Sequence, residues 1–387
     1  MPDSKVSLSD ADLLNVRMRA LGLDGAGVGD PRPGERPTER VLAVVHHLFA
    51  LQGQDWRSSQ WAVGSRAPDL TAANVREALG ERLIVRSWPM RGTVHLVAAQ
   101  DIGWIQSLTN PRMLAGAPKR REYLGMSDAV LERVTDITVQ ALSGGKSLSR
   151  DELGTVWTEA GVEWQSNWRY HLIWWLCQNG ITTFGPVDAD SEPRIVLASE
   201  WIESPRSLTG DEALQELAAR YVRGRGAASQ KDLAWWTNMK ATDVKRAFLL
   251  AEESGAVMAA QRDTVTGAAG ALWVDPHSLD AATEQPSAEP TWRLLAAFDE
   301  HLLGYNNREP QLAPGMLDRI VPGKNGMFLA TIVCDGRVVG TWRRNTKNSA
   351  LELTAFPGET IDTQALEPEI TRLADFYDFS FSQVVVT

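Results

Sequence analysis

Two glutamines with a glycine between them are the side chains of this chain with the clearest chemical potential. Gln52 and Gln54 lie in the run Leu-Gln-Gly-Gln-Asp-Trp. The residues before them predict a helix, capped by Thr38, whose apolar positions recur every three or four residues: Val41, Val44, Val45 and Leu48. Extending that apolar face by four residues reaches Gln52. A buried primary amide costs free energy unless it is hydrogen-bonded, so Gln52 needs an explanation.

The residue between the glutamines decides whether the two amides can act together. Residues two apart on a continuous helix point about 200° away from each other. Gly53 at the end of a helix can take a positive φ, which would turn Gln54 back toward Gln52. Two amides that meet at one point can orient a water molecule and offer dipoles to a developing charge. The alternative is structural: Gln52 ties down a neighbouring backbone and Gln54 is a surface residue.

Asp55 is the second candidate for the reacting group. A carboxylate can accept a proton from water, whereas an amide can only orient it. The alternative is that Asp55 is a surface charge at the end of a helix. Elsewhere the sequence contains no glycine-rich phosphate loop, no nucleophile elbow and no metal-ligand spacing. We therefore expect no metal and no cofactor.

Length, charge and cysteine content limit the class of protein. The chain has 387 residues, 43% of them hydrophobic and 23% charged, which predicts a globular protein of several domains. Its two cysteines, Cys177 and Cys334, lie far apart, and no run of eighteen apolar residues occurs. We therefore expect a reduced, cytoplasmic protein with no membrane partner. The net charge of -10 argues against a nucleic-acid partner unless basic residues cluster locally.

The elements around the glutamines are predicted as helices followed by a β-hairpin. A first helix is expected at residues 9–21, the helix before Gln52 follows, and another lies near residues 71–79. Two β-rich runs at residues 83–88 and 92–97 then predict a hairpin. Helices followed by such a wing are typical of a winged-helix domain.

The same pattern recurs twice, at intervals of about 80 residues. The second copy is predicted from two helices and a wing: residues 149–161, 167–178, and 181–184 with 194–198. The third is predicted from three helices and a wing: helices that open at Thr209, Ser229 and Ala241, then 256–259 with 271–274. Ser149 and Ser229 each have an acid three residues later, which is the capping-box signature.

The last part of the chain is predicted to have a different architecture from the winged helices before it. Residues 279–290 are rich in Ala, Glu, Ser and Pro and predict a linker. Asp335 and Gly336 then predict a hairpin turn between two β-rich runs. A further strand, a helix at residues 363–376 and a last strand complete a small α+β domain. The predicted division is therefore three winged helices, a linker and an α+β domain: residues 1–122, 123–206, 207–278, 279–290 and 291–387.

Three segments resemble the winged-helix DNA glycosylases of the AlkZ and YcaQ type. The first is residues 40–104, with the glutamine run and Ser-Trp-Pro-Met-Arg-Gly-Thr-Val-His-Leu-Val at 87–97. The second is residues 295–305, with Phe-Asp-Glu-His-Leu-Leu-Gly-Tyr at 298–305, and the third is Asp-Gly-Arg-Val-Val-Gly-Thr-Trp-Arg-Arg at 335–344. The resemblance covers nearly the whole chain. The family's catalytic Gln-x-Gln pair falls on Gln52 and Gln54, but Gly53 stands where the family has a larger apolar residue.

The resemblance implies an α+β fold of three tandem winged helices in a C shape with a β-rich C-terminal part. It also implies a monofunctional glycosylase that removes N7-alkylated guanine from double-stranded DNA as a monomer. Bulky monoadducts and interstrand crosslinks would be substrates, in DNA repair or in self-resistance to a DNA-alkylating natural product. Because an N7-alkylated guanine is already cationic, it leaves as a neutral base, and two amides that position water would suffice.

Candidate DNA contacts lie on the first wing and in basic clusters. On the wing, Arg91, Thr93 and His95 alternate along one strand face. If that face lines a cleft, Thr93 and His95 can donate to the damaged nucleotide and Arg91 to a phosphate; otherwise it is an ordinary solvent face. The remaining candidates are Arg112, Arg120, Arg121, Trp342, Arg343 and Arg344. For these cations the alternative is a solvated face, and for Trp342 it is the core.

Two other functions fit the same pattern. A non-enzymatic winged-helix transcription regulator would need a recognition helix rich in Arg, Asn and Gln. The candidate segments 168–177 and 233–238 are instead aromatic and apolar. An interaction scaffold with no role on DNA would be favoured by the acidic balance.

Overall fold

The computed structural model describes residues 6–28, 32–188, 192–283 and 289–387 and shows a mixed α+β fold. The helices are α1 Asp10–Ala20, α2 Pro37–His47, α3 Trp56–Gly64, α4 Ala72–Gly80, α5 Ile102–Thr109, α6 Pro111–Ala115, α7 Ala117–Leu124, α8 Asp128–Leu142, α9 Arg150–Glu159, α10 Arg169–Gln178, α11 Ala198–Trp201, α12 Gly210–Arg225, α13 Gln230–Thr237, α14 Ala241–Glu253, α15 Pro276–Thr283, α16 Glu300–Leu303, α17 Leu317–Ile320 and α18 Thr363–Phe376. The strands are β1 Val6–Leu8, β2 Leu51–Gln52, β3 Ile84–Met90, β4 Thr93–Ala98, β5 Thr182–Phe184, β6 Ile195–Leu197, β7 Met258–Arg262, β8 Ala271–Val274, β9 Trp292–Leu295, β10 Thr331–Cys334, β11 Arg337–Asn345, β12 Ala350–Ala355 and β13 Val384–Val386.

The first two predicted wings share one sheet, with strand order β2-β4-β3-β5-β6. Each wing is an antiparallel hairpin, and the two join where Arg86 pairs with Phe184. The sheet therefore crosses the predicted boundary at residue 122. It also gains β2, the short strand that carries Gln52, at its edge.

The third predicted wing forms a separate sheet that includes the N-terminal segment. β7 and β8 pair antiparallel, and β1 adds to β7 in parallel, with Val6 opposite Ala260. β1 has only three residues, too few to show an apolar alternation, and was not predicted. Leu8 lies in the small apolar core that this sheet shares with α1 and α15.

The C-terminal sheet has the strand order β13-β12-β11-β10-β9. The predicted turn between β10 and β11 is confirmed, because Asp335 and Gly336 both take positive φ, at 47° and 78°. Helix α18 packs on α3, where the Phe376 and Trp61 rings meet edge to face at 5.3 Å. A Cβ at Gly64 would lie 2.4 Å from the Phe376 ring, so this contact requires glycine.

Local capping signals predicted several helix starts correctly. Ser9, Ser149 and Ser229 all form the expected capping boxes. Thr209 is the N-cap of α12, as expected, although its side chain makes no cap hydrogen bond. One predicted cap is wrong. Helix α2 begins at Pro37 rather than after Thr38, because the fixed φ of proline suits the first helical turn.

The predicted linker at residues 279–290 begins too early. Helix α15 continues to Thr283, and Leu279 packs into the apolar core with Leu13 and Val16 of α1. Residues 284–288 lie outside the described part of the chain. The helices between residues 102 and 142 were also missed, although Ser127 caps α8.

The glutamine-bearing segment and the C-terminal sheet share one apolar core. Leu51 of β2 and Val44 of α2 belong to the same cluster as Leu294 of β9 and Leu351 of β12. The C-terminal part therefore packs directly against the segment that carries the candidate site. Among the described residues, no helix combines the length and apolar character needed to cross a membrane.

Candidate active site

Gln52 lies on a strand, not on the buried face of a helix as the spacing predicted. Helix α2 ends at His47, and Phe49 then takes a positive φ of 66° that turns the chain. Leu51 and Gln52 pair with Leu96 and His95 of β4. The burial expected for Gln52 is nevertheless correct, since the residue is 8% exposed.

Gly53 does not provide the turn that was expected of it. Its φ is not positive, and its N–H donates to the Val94 carbonyl at 2.7 Å. Its own carbonyl accepts from Arg86 Nε at 2.9 Å. A Cβ at this position would lie 3.4 Å from the nearest backbone atom of His95, an ordinary contact. Neither backbone nor space therefore demands glycine between the two glutamines.

Gln52 is held both at its backbone and at its side-chain amide. Its backbone N–H donates to Glu300 Oε1 at 2.9 Å, and Arg91 Nη2 donates to its side-chain Oε1 at 3.3 Å. A guanidinium can only donate, so the atom that faces Arg91 must be the amide oxygen. The Nε2 amino group, for which the described residues offer no hydrogen-bond partner, is left to donate elsewhere.

Glu300 joins three parts of the chain beneath Gln52. It is 1% exposed, and its Oε2 accepts from Arg225 Nη2 at 2.7 Å and from Trp236 Nε1 at 3.1 Å. Arg225 also donates to the carbonyls of Leu48 and Ala50 at 3.1 and 3.0 Å. These further hydrogen bonds offset part of the cost of burying the ion pair, although Arg225 Nε has no partner among the described residues. The glutamine-bearing turn thus rests on a buried ionic support.

The neighbours of Glu300 strengthen this support. Asp299 forms a bidentate pair with Arg66 at 2.8 and 2.9 Å. Burial opposes ionisation of Asp299, but the charge and hydrogen bonds of Arg66 outweigh it and lower the pKa of the carboxyl. Tyr305 donates to the Arg225 carbonyl at 2.6 Å. Spacing alone gave Glu300 no role; its only signal was its place in the 298–305 segment.

Gln54 and Asp55 differ from Gln52 in being exposed. No hydrogen bond holds the Gln54 side chain within the described ranges. Asp55 is the N-cap of α3, where its Oδ1 accepts from the Ser58 N–H at 2.6 Å. This is the helix-end role that stood as the alternative for Asp55.

The polar face of the first wing points inward. Strand β4 is buried over nearly its whole length, so the face is neither an open cleft nor an ordinary solvent face. His95 is fully buried, and burial and then the charge of Arg91 lower its pKa to about 3, which keeps the imidazole neutral. Its Nδ1 lies 3.0 Å from the Thr93 carbonyl. Thr93 itself is half-buried, and its hydroxyl donates to the Met90 carbonyl at 3.4 Å.

Arg91 lies at the tip of this wing, with a positive φ of 53°. Its guanidinium carbon is 4.6 Å from the centre of the Trp235 ring, and burial lowers its pKa to about 10. Arg91 was predicted to meet a phosphate, but in this structure it is directed at Gln52.

The other basic candidates divide into exposed and engaged residues. Arg112 and Arg120 are exposed; Arg112 donates to the Asn238 carbonyl at 3.3 Å, and Arg120 lies over Tyr123. Arg121, by contrast, is 8% exposed and pairs with Asp128 at 2.9 Å. The structure therefore does not place Arg121 with the accessible cations.

The C-terminal candidates lie on β11, the central strand of the C-terminal sheet. Trp342 donates its Nε1 hydrogen to the Leu295 carbonyl at 2.8 Å and packs against the apolar core, as its alternative predicted. Arg343 is exposed and pairs with Glu352. The guanidinium of Arg344 lies 3.9 Å from the centre of the Phe379 ring. In the described part of the chain, no group of three or more His, Cys, Asp or Glu side chains could hold a metal.

Comparisons with known proteins agree on one family. A family model described as DNA glycosylase AlkZ-like matches residues 45–376. A curated relative, the interstrand DNA cross-link repair glycosylase of Streptomyces sahachiroi, is 25% identical over 344 residues, which cover 86% of this chain and 89% of the relative. The solved structure of the DNA glycosylase AlkZ from that organism is similar in fold, with a TM-score of 0.78 at 22% identity, over 99% of this chain and all of the other.

Proposed function

Since the chain belongs to the family of AlkZ-like DNA glycosylases, we propose that it hydrolyses the N-glycosidic bond of N7-alkylated guanine, with Gln52 and Gln54 as the catalytic pair. The observation that carries this proposal is the fixed amide of Gln52. Glu300 holds its backbone and Arg91 holds its side-chain oxygen. A group that positions water must itself be held in place, and Gln52 is held from two directions.

The chemistry needs little from the protein beyond this positioning. When the bond between C1′ and the guanine nitrogen breaks, its electron pair neutralises the positive charge of the alkylated base, which leaves without protonation. The sugar becomes an oxocarbenium-like cation, and the water oxygen bonds to C1′ and releases a proton to solvent. The Nε2 amino group of Gln52 can donate to a water lone pair, while the Gln54 carbonyl can accept one of its hydrogens.

The same arrangement favours a monofunctional enzyme. A lyase would need an amine nucleophile at C1′. The side chains that contact Gln52, those of Arg91 and of Glu300 across its backbone, offer no amine. We therefore propose water as the nucleophile, with no cofactor.

The finer architecture also belongs to this proposal. We assign three winged-helix units to residues 1–122, 123–206 and 207–278, arranged in a C shape, and the C-terminal domain to 291–387. The hairpins β3–β4, β5–β6 and β7–β8 support the assignment. Because one chain would supply three such units, a monomer is sufficient to enclose double-stranded DNA.

We propose that the accessible cations hold the DNA backbone. Arg112, Arg120, Arg343 and Arg344 would contact phosphates, and Thr93 would face the damaged nucleotide. Three of the predicted residues would not touch DNA and would instead hold in place the strands and helices that carry these contacts: His95, Arg121 and Trp342.

The Streptomyces relative is an interstrand DNA cross-link repair glycosylase, which supports a wider substrate range for this chain. We propose that bulky monoadducts and interstrand crosslinks are substrates, in DNA repair or in self-resistance to a DNA-alkylating natural product. A duplex with a single N7-methylguanine tests the core of the proposal: after incubation, alkali cleaves the strand wherever a base has been removed. We expect scission well above the rate without protein. Scission at the background rate for N7-methylguanine and for larger adducts would contradict it.

A further inference from the structure

An apolar cavity of about 360 Å³ opens beside the glutamine-bearing loop. Asp55, the residue after Gln54, lines one side of it. Helix α3 supplies Arg57, Ser58 and Trp61. The remaining walls come from the C-terminal domain: the segment before α16, the chain that leads into β10, strand β11, and the end of α18 with the region after it. The cavity therefore lies between the candidate catalytic loop and the sheet that supports it.

Most of the residues that line this cavity are apolar or aromatic, and part of its mouth is exposed apolar surface. Trp61, Phe298 and Phe328 line the interior. At the mouth, Met327 is 52% exposed and Leu329 is 42% exposed. Exposed apolar side chains beside an open cavity are typical of a binding site for an apolar ligand.

The rim carries cations that lack a carboxylate partner. Arg57 and Arg344 both line the cavity, and neither forms an ion pair in the described ranges. Each is stacked on an aromatic ring: Arg57 lies 4.5 Å from the centre of Tyr377, and Arg344 lies 3.9 Å from that of Phe379. Burial and the nearby charge of Arg57 lower the pKa of Arg344.

The position of Arg57 in its helix also favours a bound anion. It is the second residue of α3, where the helix dipole is unfavourable to a cation. A phosphate bound at this rim would relieve both the dipole and the repulsion between the two guanidinium groups. Asp55, Asp375 and Asp378 are the acidic neighbours, and none lies within ion-pair distance of Arg57 or Arg344.

We propose that this cavity binds an apolar planar group carried on the alkyl substituent of a large guanine adduct, while Arg57 and Arg344 hold an adjacent DNA phosphate. The inference rests on the proposed glycosylase function and names the part of the substrate that its site selects. An unmodified base fits less well, because most of the lining is apolar and can replace few of the hydrogen bonds that its polar edge makes to water. The volume lies at the lower end of the range for small-molecule sites, which suits a ring system.

Binding to stable substrate analogues tests this inference without turnover. Two duplexes would carry N7-methylguanine or N7-benzylguanine on a 2′-fluoroarabino sugar, which resists hydrolysis. We expect the wild-type protein to bind the benzyl duplex at least about tenfold more tightly in a fluorescence-anisotropy titration. Leu329→Ser and Ala297→Phe, which make the mouth polar or fill the cavity, should bring the ratio close to one.

A matched control separates the cavity from general loss of apolar surface. Leu249 on α14 is 52% exposed and distant in the chain, so Leu249→Ser should keep the wild-type ratio. Arg57→Gln should weaken both duplexes equally and reduce the slope of log K against log salt by about 0.9, the loss of one phosphate contact.

Excision of the same bases from ordinary deoxyribose separates the two proposals. Scission of both adducts with equal affinity for the two analogues would overturn the cavity assignment and leave the glycosylase proposal standing. Preferential binding of the benzyl analogue without any scission would contradict the glycosylase proposal, while the cavity would still bind the apolar group. Equal loss of affinity for both duplexes in Leu329→Ser would also contradict the cavity assignment.

Discussion

Two β-hairpins place arginines close to the glutamine-bearing loop, and they do so in opposite ways. The first wing and the β10–β11 hairpin both turn through two residues of positive φ, Arg91 with Gly92 and Asp335 with Gly336. Both hairpins lie inside five-stranded sheets. At the tip of the first, the Arg91 guanidinium is buried and turns inward onto Gln52. In the second, the arginines lie near the end of β11 that is far from the turn, where Arg343 is exposed and Arg344 stacks on the Phe379 ring.

The comparison shows that burial, and not residue type or turn type, decides what these arginines do. An arginine in a low-dielectric setting must be satisfied by protein atoms, and it then fixes its partner in place. An arginine at the surface keeps its charge available for phosphate. We expect changes in the inward region to affect stability and turnover, and changes in the outward region to affect affinity and its salt dependence.

The largest expected effect concerns the buried support beneath Gln52. Glu300→Ala would leave Arg225 buried without its carboxylate, at a cost of about 3 to 5 kcal/mol in the free energy of unfolding. Urea unfolding of both proteins measures it. Glu352→Ala is the outward control: this half-buried surface carboxylate accepts from the exposed Arg343 and from Asn345, and its loss should lower the free energy of unfolding far less. An equal loss of unfolding free energy in the two variants would contradict the contrast between the inward and outward regions.

The next effect is the pH dependence of stability that His95 confers. Its pKa is lowered to about 3 in the folded protein, below the ordinary value of about 6.5, so between those pH values the unfolded chain binds the extra proton. Stability should therefore fall as the pH decreases through this window, by up to about 1.4 kcal/mol per pH unit. The measurement is urea unfolding at pH 7.5 and pH 5.

His95→Gln provides the control for that measurement. It removes the titrating group, so the difference between the two pH values should shrink relative to the wild type. His301, whose pKa burial lowers to about 4, should leave part of the dependence in place. An unchanged difference in His95→Gln would show that His95 is not buried in its neutral form.

A smaller effect is expected from Arg91, which holds the Gln52 amide oxygen. Arg91→Gln should lower the single-turnover excision rate by about tenfold, the cost of one lost hydrogen bond to a positioned group, while duplex affinity changes little. A loss of affinity with an unchanged rate would mean that Arg91 meets a phosphate, as its place on the wing first suggested.

The smallest effect is expected at the outward hairpin. Arg343→Gln should leave the rate at saturating protein unchanged and lower affinity for any duplex a few-fold, with a salt slope reduced by about 0.9. Anisotropy titrations at several salt concentrations measure both quantities. A loss specific to damaged duplexes would place Arg343 at the lesion.

Local chemistry predicted much of the fold. The caps at Ser9 and Ser149, the helix at residues 363–376 and the turn at Asp335 all depend on residues close in sequence. Helix α8 carried similar signals, with Ser127 before it and a buried face at helical spacing, and was missed although its signals are local.

The candidate site was predicted only in part, because long-range contacts set its geometry. The burial of Gln52 followed from the apolar spacing, but its strand conformation depends on β4, and its anchor Glu300 lies 248 residues away. The alternation of Thr93 and His95 was correct, yet nothing local could show that both faces of β4 are covered.

Single-turnover excision of N7-methylguanine by Gln52→Ala tests the central claim most directly. We predict a rate about 100-fold below that of the wild type with unchanged affinity for the duplex, because the positioned amide is lost while the DNA contacts remain. A rate close to that of the wild type, together with loss of activity in Asp55→Asn, would contradict the assignment and make Asp55 the reacting group.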